Sequence, residues 1–276
     1  MRQRRAFAFG TDAWDPSHRF ETSWLLSPWL LFSLRALFCL YIFTTLVFEL
    51  IFQCVADDEG CKNSNESFSY FTVLTYWGIG FYFLVSSIHT FTYAKTGVPL
   101  LDRFPRPLQA LHSTLYTTIT TFPFIVTIVY WVMLFNGTPY PSTFELWSNV
   151  SKHAMNLGFA VFEIFIPRTD TPPVVHVIWL VLILALYLGV AYIKGARTGQ
   201  YPYNFLNPAK QGAKVAAYVC GIAIGAAVIF GIVWGLIWLR KFVTEKKLGK
   251  TGRFSARNKH AEVVDVEMSA AHMASK

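Results

Sequence analysis

An all-α fold, a six-transmembrane helix bundle with both termini in the cytoplasm, is what the chain predicts, and three observations predict it. The composition is 54% hydrophobic and only 14% charged, with a mean hydropathy of +0.39, whereas soluble domains are about 45–50% apolar and about 25% charged. Six apolar runs approach or exceed the roughly 20 residues that a membrane-spanning helix needs. Lys and Arg gather before the first run, in the second loop and after the last run, as expected of cytoplasmic segments. A length of 276 residues suits a single domain of several spans.

Residues 1–28 form a cytoplasmic N-terminal segment carrying Arg2, Arg4, Arg5 and Arg19. It has no apolar core and no small-residue cleavage site, so it does not read as a secretory signal peptide. The spans fall at 29–52, 68–93, 112–135, 147–167, 174–193 and 214–239. The first loop is acidic (Asp57, Asp58, Glu59) and is flanked by Cys54 and Cys61, which can pair if it faces an oxidising compartment. Cys39 and Cys220 read as small residues within spans. The second loop carries Lys95, Arg103 and Arg106, and the third has no Lys or Arg before Lys152. The fifth loop, with Lys194, Arg197 and Lys210, breaks the charge pattern. Either that loop dips into the bilayer or one span is misplaced. Acceptor sequons at Asn65-Glu66-Ser67 and Asn136-Gly137-Thr138 fall in the two loops assigned outside, consistent with residence in the endoplasmic reticulum or plasma membrane.

The last span spaces small residues four apart, Gly221/Gly225 and Gly231/Gly235, which permits close helix approach. Tight packing within the monomer is the preferred reading and a homo-oligomer seam the alternative. With residues 29–240 as the transmembrane domain, 241–276 remain as a basic tail expected to be disordered. Between Arg240 and Lys259, eight Lys/Arg oppose one acid, Glu245, and carry most of the net charge of +8. A basic block after a span suits anionic lipid. No aromatic platform is interleaved with it, so no nucleic-acid partner is expected.

Chemistry centres on the fourth run, WSNVSKHAMNLGFAVFEIF at 147–165, with His153 and Glu163 inside it. Ionisable groups at membrane depth are functional candidates by default. Counting 1.5 Å per residue from the outer face puts Thr72 roughly 6 Å and His153 roughly 9 Å deep, on the same side. Glu49 lies at that level too. A threonine hydroxyl becomes a nucleophile when a base takes its proton, and neutral imidazole can do so. A shallow membrane site would admit an acyl chain from the leaflet and water from the surface, which suits lipid ester hydrolysis. The bland readings are that Thr72 bonds to its own helix, like the chain's many other span threonines, and that His153 is structural. Glu163 lies about 15 Å along the axis from His153, in the inner half, where Arg35 can reach it as a buried ion pair. His89, His112 and His176 sit at inner span ends, so a haem near His153 would lack its second ligand, and no cofactor or metal is expected. Soluble-enzyme motifs are absent. A non-enzymatic transporter or membrane partner protein stays open as the alternative.

The pattern Trp147-x-Asn149-x3-His153-x9-Glu163 resembles the signature of the androgen-induced and androgen-dependent multipass membrane proteins, threonine hydrolases of fatty acid esters of hydroxy fatty acids. Ser67-Phe68-Ser69-Tyr70-Phe71-Thr72 is similar to the entry of that family's second span, and Phe122-Pro123 and Gly199/Tyr203/Phe205/Leu206 are also similar. The resemblance covers about residues 28–240. It implies a catalytic Thr72 and His153, a lipid ester substrate drawn from the bilayer and no cofactor; Asn149, Glu163 and Tyr203 are supporting candidates, and Glu49, from its depth, is a candidate to orient His153. Two departures stand out. Val150 replaces a family histidine, and Lys152 adds a charge beside His153. Thr75, one turn beyond Thr72, is the rival nucleophile.

Overall fold

The structure, a computed structural model, describes residues 14–56, 60–138 and 140–256. Arg2, Arg4, Arg5, the acidic stretch 57–59 and the tail from residue 257 onward lie outside the described residues. Helices dominate the described residues: α1 Pro28–Ala56, α2 Lys62–Ser67, α3 Phe71–Thr96, α4 Arg106–Val129, α5 Thr143–Val150, α6 Asn156–Phe165, α7 His176–Thr198, α8 Pro208–Gln211 and α9 Lys214–Lys241. Short π-helical segments extend α4 at Tyr130–Leu134 and α9 at Phe242–Lys247, and a third, Ser151–Met155, joins α5 to α6.

Local chemistry sets the boundaries. Pro105 and Pro107 open α4, where a missing N–H costs nothing. Ser142 caps α5 by accepting from the Glu145 amide at 3.1 Å, satisfying a donor the first turn leaves free. At the end of α3, Gly97 takes φ +81° and bonds back to Tyr93, a left-handed cap in which a side chain would be strained. Gly80 lets α1 and α3 close up, since a Cβ there would lie 3.1 Å from Ile42 Cγ2.

Five helices are long and apolar enough to cross a membrane: Pro28–Val55, Phe71–Thr96, Arg106–Leu134, His176–Thr198 and Lys214–Lys247. They give the chain the build of a membrane protein. Leu40 of α1 and Leu186 of α7 are each 65% exposed on their outward sides, as lipid-facing residues would be. The predicted fourth span is not among the five. Residues 143–165 form one continuous helix, less apolar because it carries Glu145, Lys152 and Glu163. This helix packs inside the bundle. Its Glu163 is fully buried and receives Arg35 Nε and Nη2, both at 2.8 Å, together with the Tyr82 hydroxyl at 2.8 Å. Arg35 is completed by the Phe20 carbonyl and the Thr90 hydroxyl. The ion pair expected between Arg35 and Glu163 is therefore present, tying α1, α3 and α6 together.

Two expectations are corrected. No atom lies within 4 Å of a Cβ built on Gly221, Gly225, Gly231 or Gly235, so these glycines do not seat another helix of the chain. The tail, expected to be disordered from residue 241, is folded as far as it is described. The Arg253 amide donates to the Ser23 carbonyl, and Ser255 bonds to Tyr93 and Ala94. The chain's two described ends thus meet at one end of the bundle. Arg240 donates to the carbonyls of Ile164, Pro167 and Thr169, and Lys241 pairs with Asp170. Basic residues read as a lipid anchor are partly spent inside the protein.

A buried ion pair that loses one partner leaves an uncompensated charge, costing about 3–5 kcal/mol. Arg35→Ala or Glu163→Ala should each lower stability by that order in thermal unfolding of the detergent-solubilised protein, and the double variant Arg35→Met/Glu163→Leu should recover most of the loss.

Candidate functional site

Thr72 is the second residue of α3 and is half-buried. Its neighbour Thr75 donates to the Phe71 and Thr72 carbonyls at 2.9 and 3.0 Å, the usual fate of a span threonine. The Thr72 hydroxyl makes no such bond among the described residues. It lines a cavity of about 160 Å³ whose other walls are almost wholly apolar, including Val126 and Val129 of α4, Leu184 and Leu188 of α7, and Ile222 of α9. The loop before α9 supplies the remaining side. That loop folds back between the ends of α7 and α9, burying Phe205 and Leu206 against Ala191, while Lys194 pairs with Glu66 at 3.0 Å.

Tyr203 of that loop turns its phenol toward the Thr72 hydroxyl, toward Tyr187, and toward the backbone of Phe71 and Thr72. Tyr187 in turn donates to the Ser69 carbonyl at 3.0 Å. In the first turn of α3 the Val73 and Leu74 amides bond to the Tyr70 carbonyl at 3.1 and 3.2 Å, so the Phe71 and Thr72 amides are the donors left beside a hydroxyl and a phenol on an apolar wall.

His153 sits in the Ser151–Met155 π-segment and is 6% exposed. Its Nδ1 lies 3.0 Å from the Asn149 carbonyl, and the ring stacks on Tyr130 at 3.6 Å and 16°. A carbonyl can only accept, so this contact assigns the proton to Nδ1 and leaves Nε2 as the free acceptor. Tyr130 belongs to the other π-segment, and its hydroxyl donates to Asn149 Oδ1 at 3.1 Å. The Trp131 indole donates to the His153 carbonyl at 3.2 Å. Each π-segment makes one wider turn, a feature often found at functional sites, and the two face one another through this stack. Val129 and Leu134, on either side of Tyr130, line the Thr72 cavity. His153 and Tyr130 are not among the residues that line the cavity, and no hydrogen bond joins His153 to Thr72 among the described residues.

Of the supporting candidates, Asn149 holds His153 and Tyr130 together, and Tyr203 faces Thr72. Glu49 does not orient His153. Its carboxylate forms a buried pair with Lys152, whose direction from the helix differs by about 100° from that of His153. Glu163 belongs to the Arg35 pair. Cys54 and Cys61 form a disulfide. Tyr130 was missed in the sequence, although counting inward from residue 135 places it at the depth of His153. No protein family, curated protein or solved structure matches the chain.

Asn149→Ala removes the acceptor of the Tyr130 hydroxyl but keeps the backbone carbonyl that faces His153. It should cost about 1 kcal/mol of stability and leave the His153 tautomer unchanged in nitrogen NMR of histidine-labelled protein.

Proposed function

We propose that the chain is an integral membrane lipid-ester hydrolase with Thr72 as nucleophile and His153 as base, and that it crosses the membrane six times with both termini in the cytoplasm. The observation that carries the chemistry is the Thr72 hydroxyl, unbonded to its own helix, on the wall of an apolar cavity. The topology is supported by the meeting of the two described ends, at Ser23 and Arg253, at one end of the bundle, which fits an even number of crossings between them. Helix 143–165, held in the bundle by the Arg35–Glu163 pair, then makes the sixth.

The cavity suits an acyl chain. It reaches the lipid-facing surface through Leu134 and Val181, which are partly exposed, so a chain can enter from the leaflet. With an ester carbonyl at Thr72, His153 takes the hydroxyl proton through Nε2 and Thr72 Oγ bonds to the carbonyl carbon. The oxyanion is received by the Tyr203 hydroxyl and the open amides of α3, donors of the kind that stabilise such charge. Collapse breaks the ester bond, and the leaving alkoxide receives the proton from His153. Water then gives a proton to His153 and attacks the acyl-threonine. Thr72 recovers that proton as the fatty acid leaves. The scheme requires His153 Nε2 to come within hydrogen-bond reach of Thr72 Oγ in the substrate complex. No cofactor enters the scheme.

A fluorophosphonate probe in detergent tests this reading. Wild type and Thr75→Ala should label, Thr72→Ala should not, and His153→Ala should label slower by about 10²-fold or more, the usual contribution of a general base. Unlabelled wild type, or label retained in Thr72→Ala, would overturn the assignment.

A further inference from the structure

At the end of the bundle opposite Thr72, residues 14–27 run across the helix ends as a strap. Ser23 Oγ donates to the Ile166 carbonyl at 2.6 Å, the Trp24 indole donates to the Phe165 carbonyl at 2.7 Å, and the Thr22 carbonyl accepts from the Arg168 amide at 2.9 Å. Beneath the strap lie three titratable side chains that the proposed chemistry does not use. Glu21 is 1% exposed, and neither carboxyl oxygen has a hydrogen-bond partner among the described residues. His89 of α3 is 2% exposed with both ring nitrogens unpartnered, and His112 of α4 is 5% exposed with Nδ1 unpartnered.

These groups share one neighbourhood. The two imidazoles meet edge to face at 5.3 Å, and His112 meets the ring of Phe20, the residue before Glu21, at 5.0 Å. The Arg35 charge acts on all three. Arg35 itself is already satisfied by Glu163, Thr90 and the Phe20 carbonyl. Buried polar groups are normally hydrogen-bonded, so three such side chains gathered without partners call for an account. A metal site does not supply it, since no three His, Cys, Asp or Glu among the described residues are placed to hold an ion.

We infer that Glu21, His89 and His112 form a buried proton-binding site, and that the proton held there fastens the N-terminal strap to the bundle. A protonated Glu21 beside two neutral imidazoles leaves no unpaired charge buried under the strap, whereas an ionised Glu21 would be a carboxylate buried without a donor. Burial pushes the Glu21 carboxyl well above its ordinary 4.5, and the carboxylates of Asp15 in the strap and Asp102 in Leu100–Arg103 push the same way, against Arg35 of α1. His18 sits against Asp102 at 3.6 Å, and Glu163 reaches the site through Arg35 and through Tyr82, whose ring stacks on His112 at 5.8 Å. Because the docked strap favours protonated Glu21, docking is complete at low pH and weakens as pH rises from the ordinary carboxylate range to the raised value.

The test follows hydrogen exchange of residues 14–27 in the full-length protein in lipid nanodiscs, from about pH 5 to about pH 9, after correction for the chemical exchange rate. Wild-type protection should fall by up to about tenfold per pH unit within that window, with loss in step of the neutral-carboxyl infrared band. Glu21→Gln should abolish both the band and the pH dependence, and His89→Gln and His112→Gln should shift the midpoint. Protection flat with pH, a band unchanged by Glu21→Gln, or a midpoint indifferent to both histidines would overturn the site. If Glu21→Gln fails to fold, the wild-type infrared titration decides alone, since an ionised Glu21 at acidic pH contradicts the inference.

Discussion

A guanidinium and a carboxylate with almost no exposure, inside a bundle of apolar helices, hold this fold in register. Arg35 and Glu163 are worth little by themselves, because removing two charges from water offsets most of what their attraction returns. Their effect is conditional. Glu163 must meet Arg35 in bidentate geometry and Tyr82 at the same time, and Arg35 must also reach Thr90 and the Phe20 carbonyl. That set of bonds fixes the depth and rotation of helix 143–165, the least apolar of the long helices, against α1 and α3. It also connects the strap to the same helix that carries His153.

From that anchor the helix runs outward to a second buried pair, Lys152 with Glu49, beside His153. Around Lys152 the helix widens into the π-segment that stacks His153 on Tyr130. The wider turn of α4 at Tyr130–Leu134 supplies the matching surface. A regular α-helix on either side would send these rings in other directions. The proposed site thus depends on two irregular turns held in place by regular, heavily paired neighbours.

Much of this was legible in the chain. Apolar length located the five spanning helices, and a single arginine and glutamate at the same inner depth pointed to one another, as did Cys54 and Cys61 across a short loop. Depth counting put Thr72 and His153 toward the same end of the bundle, opposite the Arg35–Glu163 pair. What was hidden depends on rotation and not on depth. Glu49 and His153 share a level, yet Glu49 turns to Lys152. Thr72 and Thr75 differ by less than one turn, and only the coordinates show that Thr75 bonds to its own helix. The π-segments have no periodic signature, so the Tyr130 stack could not be read. Glycine spacing suggested packing that α9 does not make, because spacing shows only that a neighbour could approach. Charge density suggested a free tail after residue 241, yet Arg240 and Lys241 are bound to carbonyls and to Asp170.

The central claim is that Thr72 carries the acyl group, and mass spectrometry of the acid-quenched protein after incubation with a fatty acid ester in nanodiscs tests it most directly. The account predicts an acyl adduct on the peptide containing Thr72, borne on that residue and absent from Thr72→Ala. Ester turnover with the adduct on another residue, or equal turnover by Thr72→Ala, would contradict it.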